Sequence, residues 1–350
     1  MTQLTNRQKK IVDFIASRDA VQNQDVVIFL EVDTDSASRE TVVRELAVLV
    51  DAGIIEKSGK GRAVSYRIRG VHPLLKALDH EEYISKEPDV RSKDAILFNQ
   101  EIFHKLDGIF SEAEIFELNR KNDAYRGREK NLTPAILRKE LERITIELSW
   151  KSSKIEGNTY SLIDTEILIK DNKKAYGHDA DEATMILNHK KAIDYIFDNR
   201  EKFKILSLRN VEDVHRMLVE GLEVNHGIRS KAVGITGTQY RPLDNQHQVK
   251  EALENTIIEI NRMKDPWSKA LIALIMIAYI QPFEDGNKRT SRIVANACLI
   301  AHDVCPLSLR SIDETEYKKA ITVFYELQNA AYMKKLFLEQ FDFAIKNYFL

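Results

Sequence analysis

The residues best suited to chemistry lie in one short stretch, Ile280–Arg292, which reads Ile-Gln-Pro-Phe-Glu-Asp-Gly-Asn-Lys-Arg-Thr-Ser-Arg. An apolar run, Ala270–Ile280, leads into it and predicts a buried helix. Pro282 ends that helix, because proline has no N–H to donate and its ring clashes with the preceding turn. Gly286 and Asn287 both tolerate left-handed backbone geometry, so a tight loop is predicted here.

A second helix is predicted to begin near Asn287, and its free N–H groups and positive dipole end suit a phosphate. Arg289 and Arg292 are three positions apart and therefore fall on one face of that helix. Asp285 is a candidate Mg²⁺ ligand, because Mg²⁺ on phosphates takes one or two carboxylates. Together these residues predict a site for a nucleotide polyphosphate. The alternative is a plain Gly-Asn turn between two helices with surface arginines.

The segment Gln281–Arg292 resembles the signature loop of the Fic/Doc family, His-Pro-Phe-x-Asp/Glu-Gly-Asn-Gly/Lys-Arg-x-x-Arg. The match fails at its first position, where Gln281 stands in place of the family's histidine. The resemblance extends from about Leu97 to the C-terminus, and it implies a mainly α-helical Fic-type domain with a small β-hairpin flap. It also implies the family's usual reaction, the transfer of AMP from ATP to a hydroxyl group on a protein.

The resemblance implies roles for five residues of the loop. Asp285 would hold Mg²⁺ at the α- and β-phosphates, and Gly286 and Asn287 would form the anion cradle. Arg289 and Arg292 would bind the outer phosphates. ATP and Mg²⁺ are therefore the expected ligands.

The first residue of the loop lacks the group that catalysis in the family requires. By resemblance, Phe283 packs inward and fixes the loop, and Gln281 occupies the position of the catalytic histidine. A carboxamide can orient a hydroxyl but cannot accept its proton. Losing a general base typically costs ~10²–10⁴-fold in rate, whereas nucleotide binding does not depend on that chemistry. His215, on a predicted helix, is interpreted as a packing histidine rather than as a replacement base.

A second motif lies upstream, at the end of a helix predicted from Thr133 to Ser153. The stretch Ser152–Asn158 reads as a helix C-terminus with Gly157 as its cap. Its Ser-x-x-x-Glu-Gly pattern also resembles the inhibitory motif of one class of Fic proteins, which implies that Glu156 pairs with Arg292. A carboxylate there would occupy the place of the ATP γ-phosphate and repel its charge.

The segment Gly227–Gly237 precedes the loop and has its own pattern. Val233 and Ile235 alternate around Gly234, which predicts a strand or hairpin. The segment resembles the Fic flap, which holds the target by main-chain pairing beside the nucleotide, a form of strand addition. Because such pairing makes little demand on side chains, the target, whether another protein or the chain itself, cannot be read from the sequence.

Residues 1–70 predict a separate small domain. Helices are predicted at about 6–17 and 38–52, and the segment 24–30 is compatible with a helix or a strand. A strand pair with a glycine-rich turn follows within 54–68. This is the element order of a winged helix-turn-helix, in which the third helix reads DNA and the hairpin forms the wing.

Basic residues of the third helix and the wing are the candidate nucleic-acid contacts: Arg39, Arg44, Lys57, Lys60 and Arg62. Such a surface would bind phosphates with salt-dependent affinity. Acidic residues near the predicted reading helix weaken this interpretation, and winged helices also serve as protein-interaction modules. DNA and a protein partner therefore both stay open.

The 350 residues divide on these patterns into three parts. A winged-helix-like domain spans 1–70, a linker or arm spans 71–95, and a Fic-type domain that includes the inhibitory helix 133–157 spans 96–350. This division fits the usual size of protein domains.

The composition excludes several classes of protein. A net charge of −2 does not fit a polycation built for bulk nucleic-acid binding. Neither a secretory signal nor a membrane span is recognised, so no membrane partner is expected. Cys298 and Cys305 lack metal-like or redox-like spacing, which favours a reducing cytoplasm. A homodimer is compatible with the sequence.

Two functions from different classes follow. The first is a Fic-type protein adenylyltransferase that Glu156 inhibits and whose activity is low or base-independent. The second is a catalytically silent, nucleotide-responsive regulator that binds DNA or a protein partner through residues 1–70. An introduced substitution at Gln281 is a third explanation for the missing histidine.

Overall fold

The computed structural model describes residues 4–16, 18, 20–32, 37–59, 61–70, 72–92 and 94–349, with the backbone alone at Arg62. The chain forms two compact units, Met1–Tyr83 and Ile84–Leu350, here called the N-terminal and C-terminal units. The division falls within the segment 71–95 that the sequence suggested as a linker.

The N-terminal unit contains three helices followed by a hairpin: α1 Asn6–Ala16, α2 Asn23–Val32, α3 Arg39–Asp51, β1 Ile55–Ser58 and β2 Ser65–Ile68. The ambiguous segment 24–30 is helical, because Val26 and Leu30 lie one turn apart and both enter the core. Ser38 caps α3 by accepting a hydrogen bond from the Thr41 N–H. The strands β1 and β2 are antiparallel.

The start of the C-terminal unit differs from the prediction. The short helices α4 His80–Ser85, which crosses the junction of the units, and α5 Pro88–Arg91 come first. From Ala95 onward the apolar residues, among them Ile96 and Ile102, follow a pattern that predicts a helix. Instead, β3 Ile96–Leu97 pairs in parallel with β4 Tyr240–Arg241, and a 3₁₀ turn follows at Gln100–Lys105. Pairing with a segment distant in sequence has overridden the local periodicity.

The remaining helices of the C-terminal unit are α6 Glu112–Asn131, α7 Pro134–Ile155, α8 Leu162–Asp171, α9 Ala180–Asp198, α10 Leu208–Val219, α11 Gln246–Arg262, α12 Pro266–Ile280, α13 Asn287–Ala301, α14 Glu314–Leu327 and α15 Ala331–Asn347. The unit is thus mainly α-helical, as the sequence predicted. The spacing of apolar residues within 133–153 predicts Ile136 on the apolar face of α7, but it lies in the first turn of that helix and is half exposed.

Helix α12 is the centre of the core. All its residues from Trp267 to Ile280 are buried, and it packs most extensively against α13. A helix that is apolar on every side belongs in the interior of a domain. The loop between α12 and α13 is therefore held by two buried helices, which gives it a rigid base. Among the described residues, the helices all fall short of the length and apolarity that a bilayer span requires.

Candidate nucleotide-binding site

A cavity of about 260 Å³ opens in front of the α12–α13 loop. Its walls come from the end of α7, the segment before β4 and the loop itself: Glu156, Val233, Gly234, Ile235, Thr236, Gln281, Glu284, Asp285, Gly286, Asn287, Lys288 and Arg289. Most of the residues that the sequence singled out are therefore brought to one place.

The backbone turns at two left-handed residues. Gln281 caps α12 with φ 52° and ψ 59°, and Gly286 precedes α13 with φ 78°. A Cβ on Gly286 would lie 3.1 Å from the Val219 side chain, so both conformation and space favour glycine. Of the two residues that tolerate left-handed geometry, only Gly286 adopts it; Asn287 is the first residue of α13, where the sequence predicted the second helix to begin.

The Asn287 carboxamide ties the loop together. Its Oδ1 accepts from the Phe283 N–H at 2.8 Å, and its Nδ2 donates to the Phe283 carbonyl at 2.8 Å. Nδ2 also donates to Gln281 Oε1 at 3.0 Å, and Gln281 Nε2 donates to the Ala278 carbonyl at 2.6 Å. Both ends of the Gln281 carboxamide are thus hydrogen-bonded to neutral groups of the loop and of α12.

Arg229 is a buried support that sequence reasoning missed. Its Nε donates to the Gln281 carbonyl at 2.6 Å, and its Nη1 donates to the Lys231 carbonyl at 2.7 Å. Its Nη2 donates to the Leu243 carbonyl, and its backbone N–H donates to the Pro282 carbonyl at 3.0 Å. The signal available in the sequence was Arg229 two positions after Gly227, but its partners depend on the fold.

His215 and Phe283 support the other side of the loop. Their rings stack with centroids 3.7 Å apart, and both side chains are buried. His215 Nε2 donates to the Asp285 carbonyl at 3.0 Å. Burial is the main cause that lowers the pKa of His215 to about 4, so the ring is neutral at pH 7. This placement agrees with a packing histidine.

Arg289 and Asp285 form an ion pair at the mouth of the cavity. Nη2 of Arg289 lies 2.6 Å from Oδ2 of Asp285, whose side chain is 66% exposed. Arg289 itself is almost completely buried, and its Nη1 lacks a hydrogen-bond partner among the described residues. A buried cationic donor without an acceptor is costly, which favours an anion at this position.

Arg292 lies deeper and contacts Glu156. Its Nη1 is 2.9 Å from Glu156 Oε1, and Arg292 is 1% exposed. Lys288 reaches the same carboxylate from the next turn, with its Nζ 3.1 Å from Oε2. Burial raises the pKa of Glu156, but the charges of Arg292 and Lys288 outweigh this effect and lower it to about 2. The carboxylate is therefore ionised and held by two cations.

This geometry changes two expectations. The sequence placed Arg289 and Arg292 on one face of α13, whereas only Arg289 lines the cavity and Arg292 is buried against Glu156. Lys288 was not singled out, although its position in the signature loop was visible. Its contact depends on where α7 ends relative to α13, which the sequence does not show.

The predicted flap is present as a wall but not as a strand. Val233, Gly234 and Ile235 line the cavity without regular secondary structure. The strand or hairpin expected there is therefore wrong, because the short strand of this region lies further on, at β4, and pairs with β3.

The candidate nucleic-acid contacts belong to the N-terminal unit. Arg39 and Arg44 are exposed on α3, and Lys57 is exposed on β1. Lys60 and the side chain of Arg62 lie outside the described residues. The same helix also exposes Val43 and Val48, so its surface is only partly basic.

Solved structures with the same architecture are Fic proteins. Fic-1 (residues 134–508) from Caenorhabditis elegans matches with a TM-score of 0.58 and 20% identity, over 68% of this chain and 72% of that one. A Fic family protein from Desulfovibrio desulfuricans matches with a TM-score of 0.54 and 23% identity, over 68% of this chain and 74% of that one. At these sequence identities, structural similarity establishes the fold alone, and that fold is of the Fic type.

Comparison of the sequence with known families agrees with this fold. The profile of the Fic/DOC family matches residues 205–299, which include the flap, α12 and the loop, and this chain therefore carries a Fic/DOC family domain. The protein adenylyltransferase Fic of Nematostella vectensis is 25% identical over 177 residues, which cover 48% of this chain and 40% of that protein. That of Drosophila grimshawi is 25% identical over 210 residues, which cover 59% and 43%. The chain spans less than half the length of these relatives.

Proposed function

We propose that this chain binds ATP in the cavity before the α12–α13 loop and is a protein adenylyltransferase-type domain that Glu156 holds inactive. The observation that carries the proposal is the Glu156 carboxylate seated on Arg292 and Lys288 at the wall of that cavity. An internal anion already occupies a cationic site, so the site is built for negative charge.

The start of α13 supports a phosphate ligand. The first N–H groups of a helix have no partner within the helix, and Gly286 offers no side chain to cap them. Among the described residues, Nη1 of Arg289 is a buried donor without a hydrogen-bond partner, and Lys288 adds an ammonium group that is paired with Glu156. Backbone donors, a guanidinium and an ammonium suit the oxygens of a polyphosphate.

Glu156 inhibits by competition for Arg292. A γ-phosphate that approached Arg292 would meet the ionised carboxylate, and like charges repel strongly where water is excluded. ATP would then bind without its outer phosphate in place. Because two cations hold Glu156, displacing it requires either a tightly bound ligand or a movement of the end of α7.

The acidic residue at the cavity mouth fits a magnesium ion bound together with ATP. Asp285 projects an exposed carboxylate into the cavity, and Mg²⁺ in such sites takes one or two carboxylates together with phosphate oxygens. When bound, the ion would neutralise charge on the phosphates. Arg289 orients the Asp285 carboxylate in its absence.

Gln281 limits the chemistry of the site. It cannot accept a proton from an attacking hydroxyl, and its carboxamide is committed to Asn287 and Ala278. Tyr325 is 3.4 Å from Gln281 Nε2, but burial raises its pKa well above the usual value, so it does not ionise at pH 7. Transfer of AMP to a hydroxyl group of a protein target, or of the chain itself, held beside Val233–Ile235 is therefore expected to be slow.

A catalytically silent regulator is the second candidate. The engagement of Gln281 in the structure of the loop favours it, because the residue acts there as a structural group. The output would then come from the N-terminal unit, through DNA or a protein partner at Arg39, Arg44 and Lys57. Salt-dependent DNA binding that changes with ATP would support this candidate, and its absence at low salt would remove the DNA version.

The decisive experiment measures incorporation of label from α-labelled ATP in four proteins: the unchanged chain, Gln281→His, Glu156→Ala and the double variant. We expect the strongest labelling in the double variant, with a gain of ~10²–10⁴-fold from the restored base. ATP binding is measured in parallel by calorimetry. Binding without labelling in the double variant would favour the regulator, and failure of the double variant to bind ATP would refute the proposed site.

A further inference from the structure

A chain of buried hydrogen bonds lies behind Arg292. Arg292 Nε donates to Ser152 Oγ at 2.9 Å, and Nη2 donates to the Ser152 carbonyl at 2.8 Å. Ser152 Oγ is 2.9 Å from His189 Nε2, and His189 Nδ1 is 2.8 Å from the Met185 carbonyl. Ser152, His189 and Arg292 are all buried, so the chain joins α13, α7 and α9 away from water.

The chemistry of these groups fixes the direction of every bond. A guanidinium only donates, so Ser152 Oγ accepts from Arg292. A carbonyl only accepts, so the proton of His189 sits on Nδ1 and points to Met185. Nε2 of the neutral ring is then an acceptor, and the Ser152 hydroxyl must donate to it. Ser153 Oγ lies 3.3 Å from Nδ1 and can accept a second, weaker hydrogen bond from the same Nδ1–H.

Burial is consistent with this single arrangement. Removal from water is the main cause that lowers the pKa of His189 to about 3. The hydrogen bond to the Met185 carbonyl and the charge of Glu156 oppose this effect, whereas the charges of Arg289 and Arg292 add to it. A protonated ring would place a further cation beside two arginines. It would also turn Nε2 into a donor toward a hydroxyl that already accepts from Arg292. The neutral ring is therefore the form that holds the chain together.

Resting on the proposed ATP site, we propose that His189 is a positioning residue, which orients the Ser152 hydroxyl so that Ser152 fixes the guanidinium of Arg292 for phosphate binding. Glu156 occupies only Nη1, whereas Nε and Nη2 are bound to Ser152. When Glu156 leaves, two hydrogen bonds of Arg292 stay in place. The guanidinium is thus prepared for the phosphate rather than released, and such preorganisation strengthens binding.

Two matched amides test this role. In His189→Gln the side-chain oxygen can reach the position of Nε2 and accept from Ser152. In His189→Asn the shorter amide can replace Nδ1 but cannot reach Ser152. Both variants remove the aromatic ring, so a purely structural role for His189 predicts similar effects from the two.

The readout is the dissociation constant for ATP with Mg²⁺, measured by calorimetry in the Glu156→Ala background. We expect His189→Asn to weaken ATP binding by roughly 10-fold or more, as loss of a supporting hydrogen bond commonly does, and His189→Gln to stay close to the parent. Ser152→Ala should match His189→Asn, and combining the two should add little. Equal affinities for the Asn and Gln variants would overturn the inference while leaving the ATP site intact.

A nucleotide-independent measurement separates this inference from the proposed function. Nitrogen-15 NMR should show His189 as the neutral Nδ1–H tautomer at pH 6, and the Arg292 Nε–H signal should be protected from exchange with water. That protection should survive in His189→Gln and disappear in His189→Asn. An Nε2–H tautomer, or an Arg292 signal unaffected by either change, would refute the role of His189 even in a protein that does not bind ATP.

Discussion

The two ends of the loop are held by different kinds of interaction. At its start, Gln281 and Asn287 form neutral hydrogen bonds to each other and to the backbone. At its end, Arg292 and Lys288 hold the ionised carboxylate of Glu156. Neutral bonds between neighbouring residues fix the shape of the loop, whereas the ion pair joins two helices and can be exchanged for another anion. In the proposed function, the first end serves as a scaffold and the second as a switch.

Removing the charge at the second end should have the largest effect. Glu156→Ala leaves Arg292 charged and buried, and breaking a buried pair from one side typically costs 3–5 kcal/mol. We expect the free energy of unfolding without nucleotide to fall by about 3 kcal/mol, while ATP affinity rises by roughly 5–150-fold, the usual range of coupling between two sites. Urea unfolding and calorimetry measure the two quantities.

Glu284→Ala is the matched control for this change. Glu284 also lines the cavity, but it pairs with the Asn225 amide rather than with an arginine. Its removal should leave stability nearly unchanged and raise ATP affinity only slightly. If the two variants behaved alike, general charge in the cavity would explain the effect, and the switch at Arg292 would not be needed.

Disruption of the neutral hydrogen bonds at the start of the loop should lower ATP affinity, whereas removal of Glu156 should raise it. Asn287→Ala leaves the Phe283 backbone groups and Gln281 Oε1 without their buried partner, which should cost roughly 1–3 kcal/mol of unfolding free energy. ATP affinity should fall with it, because the cradle loses its shape. Ser291→Ala, which removes one side-chain hydrogen bond to the Lys288 carbonyl in the same helix, is the control. Comparable losses in both would show that Asn287 has no special part in the loop.

The pH dependence of stability should separate the contribution of the two buried imidazoles, His215 and His189, from that of the Glu156 ion pair. His215 and His189 are neutral in the fold, with pKa values of about 4 and about 3, both below the usual 6.5. The unfolded chain therefore binds more protons, and stability that is present above pH 6.5 is lost as the pH falls toward these values. Each imidazole contributes about 1.4 kcal/mol per pH unit in that window at most.

Glu156 affects stability over a lower pH range than the two histidines. Its pKa is about 2 in the fold and 4.5 in the ordinary case, so its contribution is present above pH 4.5 and is lost as the pH falls toward 2. Urea unfolding from pH 7 to pH 3 should show both phases. His215→Phe should reduce the slope between pH 6.5 and 4, and Glu156→Ala should change only the lower phase. A profile that His215→Phe leaves unchanged would contradict the assignment.

The sequence predicted the local features of the site well. The apolar run before Pro282 predicted α12, and the glycine at 286 predicted a left-handed turn before α13. These features depend on backbone sterics and on residues within one or two turns of each other. The prediction was wrong at Val233–Ile235, where the expected strand is absent. It was also wrong at Ile96–Leu97, where a strand pairs with the distant β4 in place of the expected helix.

Contacts between helices could not be predicted in the same way. The pairing of Glu156 with Arg292 was expected only because the motifs resembled a known family, and the contacts of Lys288, Arg229 and His189 were not foreseen. Ser152 and Arg292 are 140 positions apart in the chain. Their distance in space depends on how α7 and α13 pack against the rest of the core.

The residue types alone determined that this loop has no general base at Gln281 and carries an excess of cationic side chains. The tertiary structure decided which of those cations face the cavity, which one is buried against Glu156, and which neutral groups hold it there. The physical reason is range: backbone preferences act over a few residues, whereas the burial and orientation of a charged side chain depend on every helix that packs around it.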